Sequence, residues 1–177
     1  FSAILSMKSI PEILEIISRD TSPPLYNITE HIAFQLFGTS EVVIRGLSFF
    51  YYLIAIFFVY KIAAFLWGRY TGVLSAALAF FNPFFFIYAF EGRMYSIMAT
   101  GVAASFYFLI RLIHLEYPKR RKFHINWYLL GYSLSVAWAL YSHHFAIFVI
   151  ILQGLWMIYE FLFGNRKASL RIFAGFL

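Results

Sequence analysis

Long apolar runs separated by short polar segments dominate the chain from residue 42 onward. These runs cover 42–66, 73–90, 93–115, 127–142 and 145–163, and a further run begins near residue 172. A helix that crosses a membrane needs about 20 mostly apolar residues. The pattern therefore predicts an all-α, multi-pass transmembrane helix bundle over residues 42–177, with span interiors that are apolar.

Residues 1–41 follow a different pattern, which predicts two amphipathic helices that lie on the membrane surface. Ser9 and Glu12 have the spacing of a capping box, which begins the first helix. The second helix begins at the double proline before Leu25 and ends at Gly38. One face of it is apolar and the other polar, the two sets being Leu25, Ile28, Ile32 and Leu36, and Asn27, Glu30, His31 and Gln35.

The composition supports a membrane protein. Hydrophobic residues make up 62% of the chain and charged residues 12%, whereas soluble domains have about 45–50% and about 25%. The chain has no cysteine, which excludes disulfides, thiolate metal sites and a cysteine nucleophile.

The basic residues concentrate in segments 61–69, 111–122 and 166–171, which end or follow alternate spans. This side has a net charge of +8 and the opposite side has −2, in agreement with the total of +6. Positive charge marks the cytoplasmic side of a membrane. Residues 1–41 therefore form an outer-face loop, and the basic run at 119–122 indicates topology and contact with anionic lipids rather than nucleic-acid binding.

This topology gathers polar residues at the outer membrane boundary. Asp20 lies in the joint between the two amphipathic helices, and the other candidates are His31, Arg45, Glu91, Arg93, Tyr95, His143 and His144. Ionisable residues at membrane depth are costly and by default indicate a functional site.

Each candidate also has a purely structural interpretation. Arg45 and Arg93 can extend to lipid headgroups, and Glu91 can pair with Arg93. Adjacent histidines on a helix point about 100° apart, so His143 and His144 do not form a metal site, and no phosphate-binding glycine loop is present.

The ordered set of Asp20, Pro23-Pro24-Leu25-Tyr26, Glu91-Gly92-Arg93-Met94-Tyr95 and Tyr141-Ser142-His143 resembles the GT-C membrane glycosyltransferases. It is most similar to the protein O-mannosyltransferase and lipid A aminoarabinose transferase superfamily, in a branch of bacterial lipopolysaccharide-core transferases. The resemblance implies a bacterial or archaeal plasma-membrane enzyme whose site faces outward. It implies a polyprenyl-phosphate sugar donor, a lipid, glycan or protein acceptor, and inverting transfer of a hexose or pentose. The resemblance implies no particular cofactor, and it is compatible with catalysis with or without a divalent metal.

The resemblance also implies residue roles. Asp20 matches the second acid of the family, and the main catalytic acid is expected just upstream of Phe1, so we expect the sequence to be a fragment. Glu91, Arg93 and Tyr95 match a Glu-x-Arg-x-Tyr motif whose arginine faces the donor phosphate. The residues expected to contact the donor headgroup or the acceptor are His31, Arg45, His143 and His144.

The chemistry requires the same residue types. A carboxylate takes the proton of the acceptor, and a cation stabilises the departing phosphate, which arginine binds through two N–H groups.

Two alternatives stay open from the sequence. A transporter or flippase of lipid-linked substrates would place polar groups and helix breaks near the bilayer midplane, whereas the polar groups here lie at span ends. A non-catalytic assembly subunit would have the same composition without turnover.

Overall fold

The computed structural model describes residues 2–19, 22–114 and 126–164, which are helical with short connections. The helices are α1 Ser2–Ser6, α2 Ile10–Arg19, α3 Leu25–Phe37, α4 Glu41–Trp67, α5 Arg69–Phe80, α6 Pro83–Ala89, α7 Tyr95–Ile113, α8 Trp127–Ser142 and α9 Ala146–Phe163. The described ranges contain no strand. The predicted all-α membrane bundle is confirmed.

Helices α4, α7 and α9 are each long and apolar enough to cross a membrane. Helix α8 has 16 residues and packs most extensively against α7. The bounds of these four helices lie within two residues of the predicted runs.

The run at 73–90 differs from the single span that its composition predicts. It forms α5 and α6, which meet at a bend of 67°. Asn82 accepts hydrogen bonds from the backbone N–H groups of Phe84 and Phe85, and Pro83 begins α6. Proline fits the first position of a helix but would clash inside one, so this pair ends α5 and starts a new helix.

Tyr52 of α4 stabilises the bend. Its hydroxyl lies 3.0 Å from the carbonyl oxygen of Ala79 and 2.8 Å from that of Phe80. These carbonyls lie at the end of α5, where the last carbonyl groups of a helix lack partners within the helix. The Ala79 carbonyl also accepts from the N–H of Asn82 at 3.3 Å, so protein donors satisfy the carbonyls at the bend.

Close packing of small residues joins α4, α7 and α8. A Cβ on Gly101 of α7 would lie 2.8 Å from the backbone nitrogen of Ala139 on α8. Thr100 donates to the carbonyl of Tyr51 at 2.7 Å, which fixes α7 against α4. Helices in lipid associate through such contacts because lipid is as apolar as their side chains.

A polar network lies in the middle of the bundle, so the prediction of purely apolar span interiors is wrong. Gln153 of α9 is fully buried and donates to Ser105 of α7 at 2.8 Å. It accepts from the hydroxyl of Tyr132 on α8 at 3.1 Å. The three groups are neutral and satisfy one another, which makes their burial tolerable.

Helix α3 turns part of its polar face inward. Glu30 is 1% exposed, whereas Ile32 and Leu36 are 48% and 69% exposed. Ser6 of α1 donates to Glu30 Oε2 at 2.6 Å, and its carbonyl lies 2.9 Å from His31 Nδ1. Helix α1 thus supplies a polar partner, and the exposed apolar side chains suit a lipid boundary.

Candidate functional site

One end of the bundle holds most of the candidate residues, and we call it the acidic end because it lies on the side to which the sequence assigns the net charge of −2. It comprises the starts of α4, α7 and α9 and the ends of α6 and α8. Two contacts along each helix pair fix this arrangement. Tyr51 and Phe58 of α4 meet Thr100 and Tyr107 of α7 in the same order, so α4 and α7 run parallel. Ile97 and Arg111 of α7 meet Trp138 and Tyr128 of α8 in the opposite order, so α8 runs antiparallel to them.

Three aromatic side chains form a row at this end. The rings of Tyr88 and Tyr95 have centroids 5.2 Å apart and meet edge to face. On the other side of Tyr95, the imidazole of His143 lies 6.0 Å away with an interplanar angle of 29°. The row brings the end of α6, the start of α7 and the end of α8 together.

The turn Glu91-Gly92-Arg93 connects α6 to α7 beside this row. Gly92 has a φ of 67°, which costs little only for glycine. A Cβ at this position would lie 2.6 Å from Cγ2 of Ile44 on α4. The turn is thus fixed against α4 by a position where only glycine fits.

Arg93 remains accessible on this turn. Its Nε lies 3.6 Å from Glu91 Oε1, and its side chain is 60% exposed. Exposed ion pairs contribute about 0–1 kcal/mol. Glu91 can therefore orient the guanidinium without preventing it from binding an anion.

His143 is held as a neutral hydrogen-bond donor. The backbone N–H of Phe145 donates to His143 Nδ1 at 3.1 Å, so Nδ1 carries no proton and the neutral ring carries its proton on Nε2. Burial, with a smaller effect from the charge of His144, lowers the pKa of His143. The positive end of the α9 dipole also disfavours a charged imidazole there.

The remaining predicted site residues have separate places. Asp20 lies outside the described residues. Arg45 donates to Glu41 at 2.9 and 2.6 Å on the first turns of α4, next in sequence to Ile44. His144 is exposed in the connection between α8 and α9, while His31 belongs to the contact with Ser6 rather than to the aromatic row.

The start of α3 nevertheless packs against the acidic end. Tyr26 forms a hydrophobic cluster with Tyr51 and Ile97, and Leu25 and Met94 pack against it. Met94 directly follows Arg93 in the sequence. The double proline and the first turn of α3 are therefore anchored beside the start of α7.

Sequence reasoning missed Tyr88, Tyr26 and Glu30. The hydroxyl of Tyr26 donates to Glu30 Oε1 at 3.3 Å, and burial, followed by the charge of Glu30, raises its pKa. The spacing of Tyr26 and Glu30 places them on one face of α3, which was the available signal. Tyr88 sits in an apolar run and gives no such signal.

The described residues contain no group of three or more His, Cys, Asp or Glu side chains that could hold a metal ion. At the acidic end the side chains instead offer a guanidinium, an imidazole N–H and aromatic rings. This set can bind an anionic oxygen group together with an apolar or ring-shaped neighbour.

Comparison with known proteins assigns the chain to a family. The family described as dolichyl-phosphate-mannose-protein mannosyltransferase matches residues 21–177. No curated protein and no solved structure matches the chain significantly. The matched range covers α3 to α9, and so includes every described part of the acidic end.

Proposed function

The chain belongs to the dolichyl-phosphate-mannose-protein mannosyltransferase family and is an integral membrane glycosyltransferase, and from this premise we propose a specific reaction. The protein transfers a hexose or pentose from a polyprenyl-phosphate donor to an acceptor hydroxyl. The reaction takes place at the acidic end of the bundle, on the outer face of a bacterial or archaeal plasma membrane. The positive charge of the opposite end supports this orientation.

The observation that carries the proposal is the position of Arg93 beside the aromatic row. An exposed guanidinium on a turn fixed by Gly92 and Ile44 is placed to bind the donor phosphate through two N–H groups. Cleavage of the bond between sugar and phosphate leaves negative charge on the phosphate, which a pre-positioned cation stabilises. The Nε2–H of His143, whose ring lies 6.0 Å from that of Tyr95, provides a neutral second donor.

The reaction needs one displacement. The acceptor oxygen bonds to the anomeric carbon, the carbon–oxygen bond to phosphate breaks, and polyprenyl phosphate leaves with the electron pair. A carboxylate takes the acceptor proton, and we assign this role to Asp20. A single displacement inverts the anomeric carbon and needs no covalent enzyme intermediate.

Helix α6 supports a prenyl-linked donor. Phe84, Phe85 and Ile87 are 63%, 51% and 67% exposed, and they lie on the helix that leads into the turn of Arg93. An isoprenoid chain can cover this apolar surface while its phosphate reaches the guanidinium. The acceptor is a hydroxyl of a lipid, a glycan or a protein.

The test is transfer of labelled sugar from a polyprenyl-phosphate donor by the membrane-embedded protein, with the anomeric configuration of the product read by NMR. We expect inverted product and one polyprenyl phosphate released per sugar transferred. Retention of configuration would contradict the single displacement.

A transporter of lipid-linked substrates is the second candidate, because α5 and α6 form a bent pair and transporters break helices near their substrate sites. Two observations favour the enzyme over the transporter. The Tyr52 hydroxyl donates to the carbonyls at this bend, and protein groups satisfy one another in the mid-bundle network of Gln153. Movement of the donor across proteoliposomes without sugar transfer would favour this function.

A further inference from the structure

The basic end of the bundle, formed by the ends of α4 and α7 and the start of α8, holds two cations in one groove. Lys61 of α4 lies with its Nζ 5.9 Å from the ring centroid of Tyr107 on α7. Arg111 of α7 lies with its Cζ 4.6 Å from the ring centroid of Phe65 on α4. Phe65 follows Lys61 by one helical turn and Arg111 follows Tyr107 by one turn. Because α4 and α7 are parallel, the cations occupy adjacent turns of the same groove.

Both cations keep unused hydrogen-bond donors. Arg111 donates to the hydroxyl of Tyr128 at 2.6 Å, and its Cζ lies 4.8 Å from that ring. Within the described residues this is its one hydrogen bond, and Lys61 has aromatic contacts but no hydrogen bond or ion pair. A guanidinium has five N–H donors and an ammonium has three.

Both side chains are half-buried, and the described residues supply no carboxylate to either. Cations at membrane depth are costly and mark binding sites by default. The unused donors of Lys61 and Arg111 suit an anion with several acceptor oxygens.

The depth of the groove indicates which anion. Lys61 lies six residues before the end of α4 at Trp67, about 9 Å at 1.5 Å per residue, and Arg111 lies in the last turn of α7. Long cationic side chains at this depth extend toward lipid headgroups. Phe57 and Phe65 border the groove and are 53% and 39% exposed, so acyl chains have an apolar surface beside the cations.

We propose that this groove binds the phosphate of an anionic phospholipid from the leaflet at the basic end, held jointly by Lys61 and Arg111. Tyr128 positions the guanidinium for this contact. The site lies far from the acidic end, since α4 alone is about 40 Å long, and it does not depend on the glycosyl-transfer reaction.

The test compares lipid retention in native mass spectrometry and thermal unfolding in nanodiscs. The wild-type protein is placed in phosphatidylcholine alone or in phosphatidylcholine mixed with phosphatidylglycerol. We expect one retained phosphatidylglycerol and a higher Tm in the mixture. In K61Q/R111Q we expect retention about 30-fold weaker and no Tm difference between the two lipids.

Arg69→Gln is the matched control, because it removes one charge at the same end from an exposed position outside the groove. It should keep the retained lipid. Equal retention by K61Q/R111Q and wild type would overturn the proposal, as would an equal loss in R69Q. Stabilisation of the wild type by inorganic phosphate in phosphatidylcholine nanodiscs would overturn the assignment to a lipid and identify a free anion. If the double variant does not fold, K61Q alone should lose about fivefold in retention, and unchanged retention would contradict the proposal.

Discussion

Replacing Gly92 with alanine perturbs the position of Arg93 without changing any charged group. Gly92 has a φ of 67°, and in this left-handed conformation a residue with a Cβ lowers the free energy of unfolding by about 1–2 kcal/mol. The new Cβ would also lie 2.6 Å from Ile44 Cγ2, well inside van der Waals contact, so either the turn or Ile44 must move. A displacement of about 1 Å in a positioning group can cost about 100-fold in rate. We therefore expect a large loss of sugar transfer with a modest loss of stability, about 2–8 °C in Tm.

The assay is sugar-transfer rate at saturating donor, with thermal unfolding measured in parallel. Gly46→Ala is the control, because a Cβ there meets nothing within 4 Å and the residue lies inside α4, where alanine is favoured by about 1 kcal/mol. The double variant G92A/I44A should recover part of the lost rate, since it relieves the contact but not the backbone strain. A G92A protein with wild-type rate, or no recovery in the double variant, would refute the idea that this turn positions Arg93.

Three further predictions concern other side chains. The pKa of His143 is lowered in the folded protein. The stabilising bond from the N–H of Phe145 is therefore complete above about pH 6.5, and its contribution to stability is lost as pH falls through the folded pKa. His143→Asn should abolish the fall in Tm over this acidic range. Glu30→Ala should cost about 1–3 kcal/mol in unfolding, and a double-mutant cycle with Ser6→Ala should show coupling rather than additivity. Gln153→Leu should cost about 0.6–1.7 kcal/mol per lost bond and leave the transfer rate unchanged, whereas a lost rate would link the mid-bundle network to catalysis.

Local sequence features predicted the secondary structure well where one helix determines its own ends. The Glu12 half of the predicted capping box forms, with the N–H of Ser9 donating to the Glu12 carboxylate at 2.9 Å. The Ser9 hydroxyl donates to the same carboxylate at 2.6 Å, and the hydrogen bonds of Ser9 lower the pKa of Glu12. Gly38 ends α3 with a φ of 84°. These features depend on residues three or four positions apart, which a sequence pattern contains.

Features that depend on a partner helix were less predictable. The inward position of Glu30 needs Ser6 of α1, and the tolerance for Gln153 needs groups from α7 and α8. The bend between α5 and α6 had a local signal in Asn82-Pro83, but hydropathy alone joined the two helices into one run. Averaged hydropathy does not register a capping residue followed by proline.

The candidate site was predictable in part, because topology determines which end of the bundle a residue occupies but not which side chains it contacts. Topology placed Arg93, Tyr95 and His143 at one end, and the structure brings Tyr95 and His143 into contact. Topology did not show that His31 contacts α1, because that contact depends on a partner helix. The pairing of Arg45 with Glu41, four residues earlier on α4, had a local signal that the topological argument did not use. The role of Asp20 stays a prediction.

The most direct test of the proposed function is the rate of polyprenyl-phosphate release from a polyprenyl-phosphate sugar donor in membranes holding wild type, Arg93→Ala or Arg69→Ala. Arg69 is the matched control, since it is exposed and begins α5 at the opposite end of the bundle. We expect R93A to lose about 100- to 1,000-fold and R69A to match the wild type. A wild-type rate in R93A, or an equal loss in both variants, would contradict a phosphate-binding role for Arg93 at the acidic end.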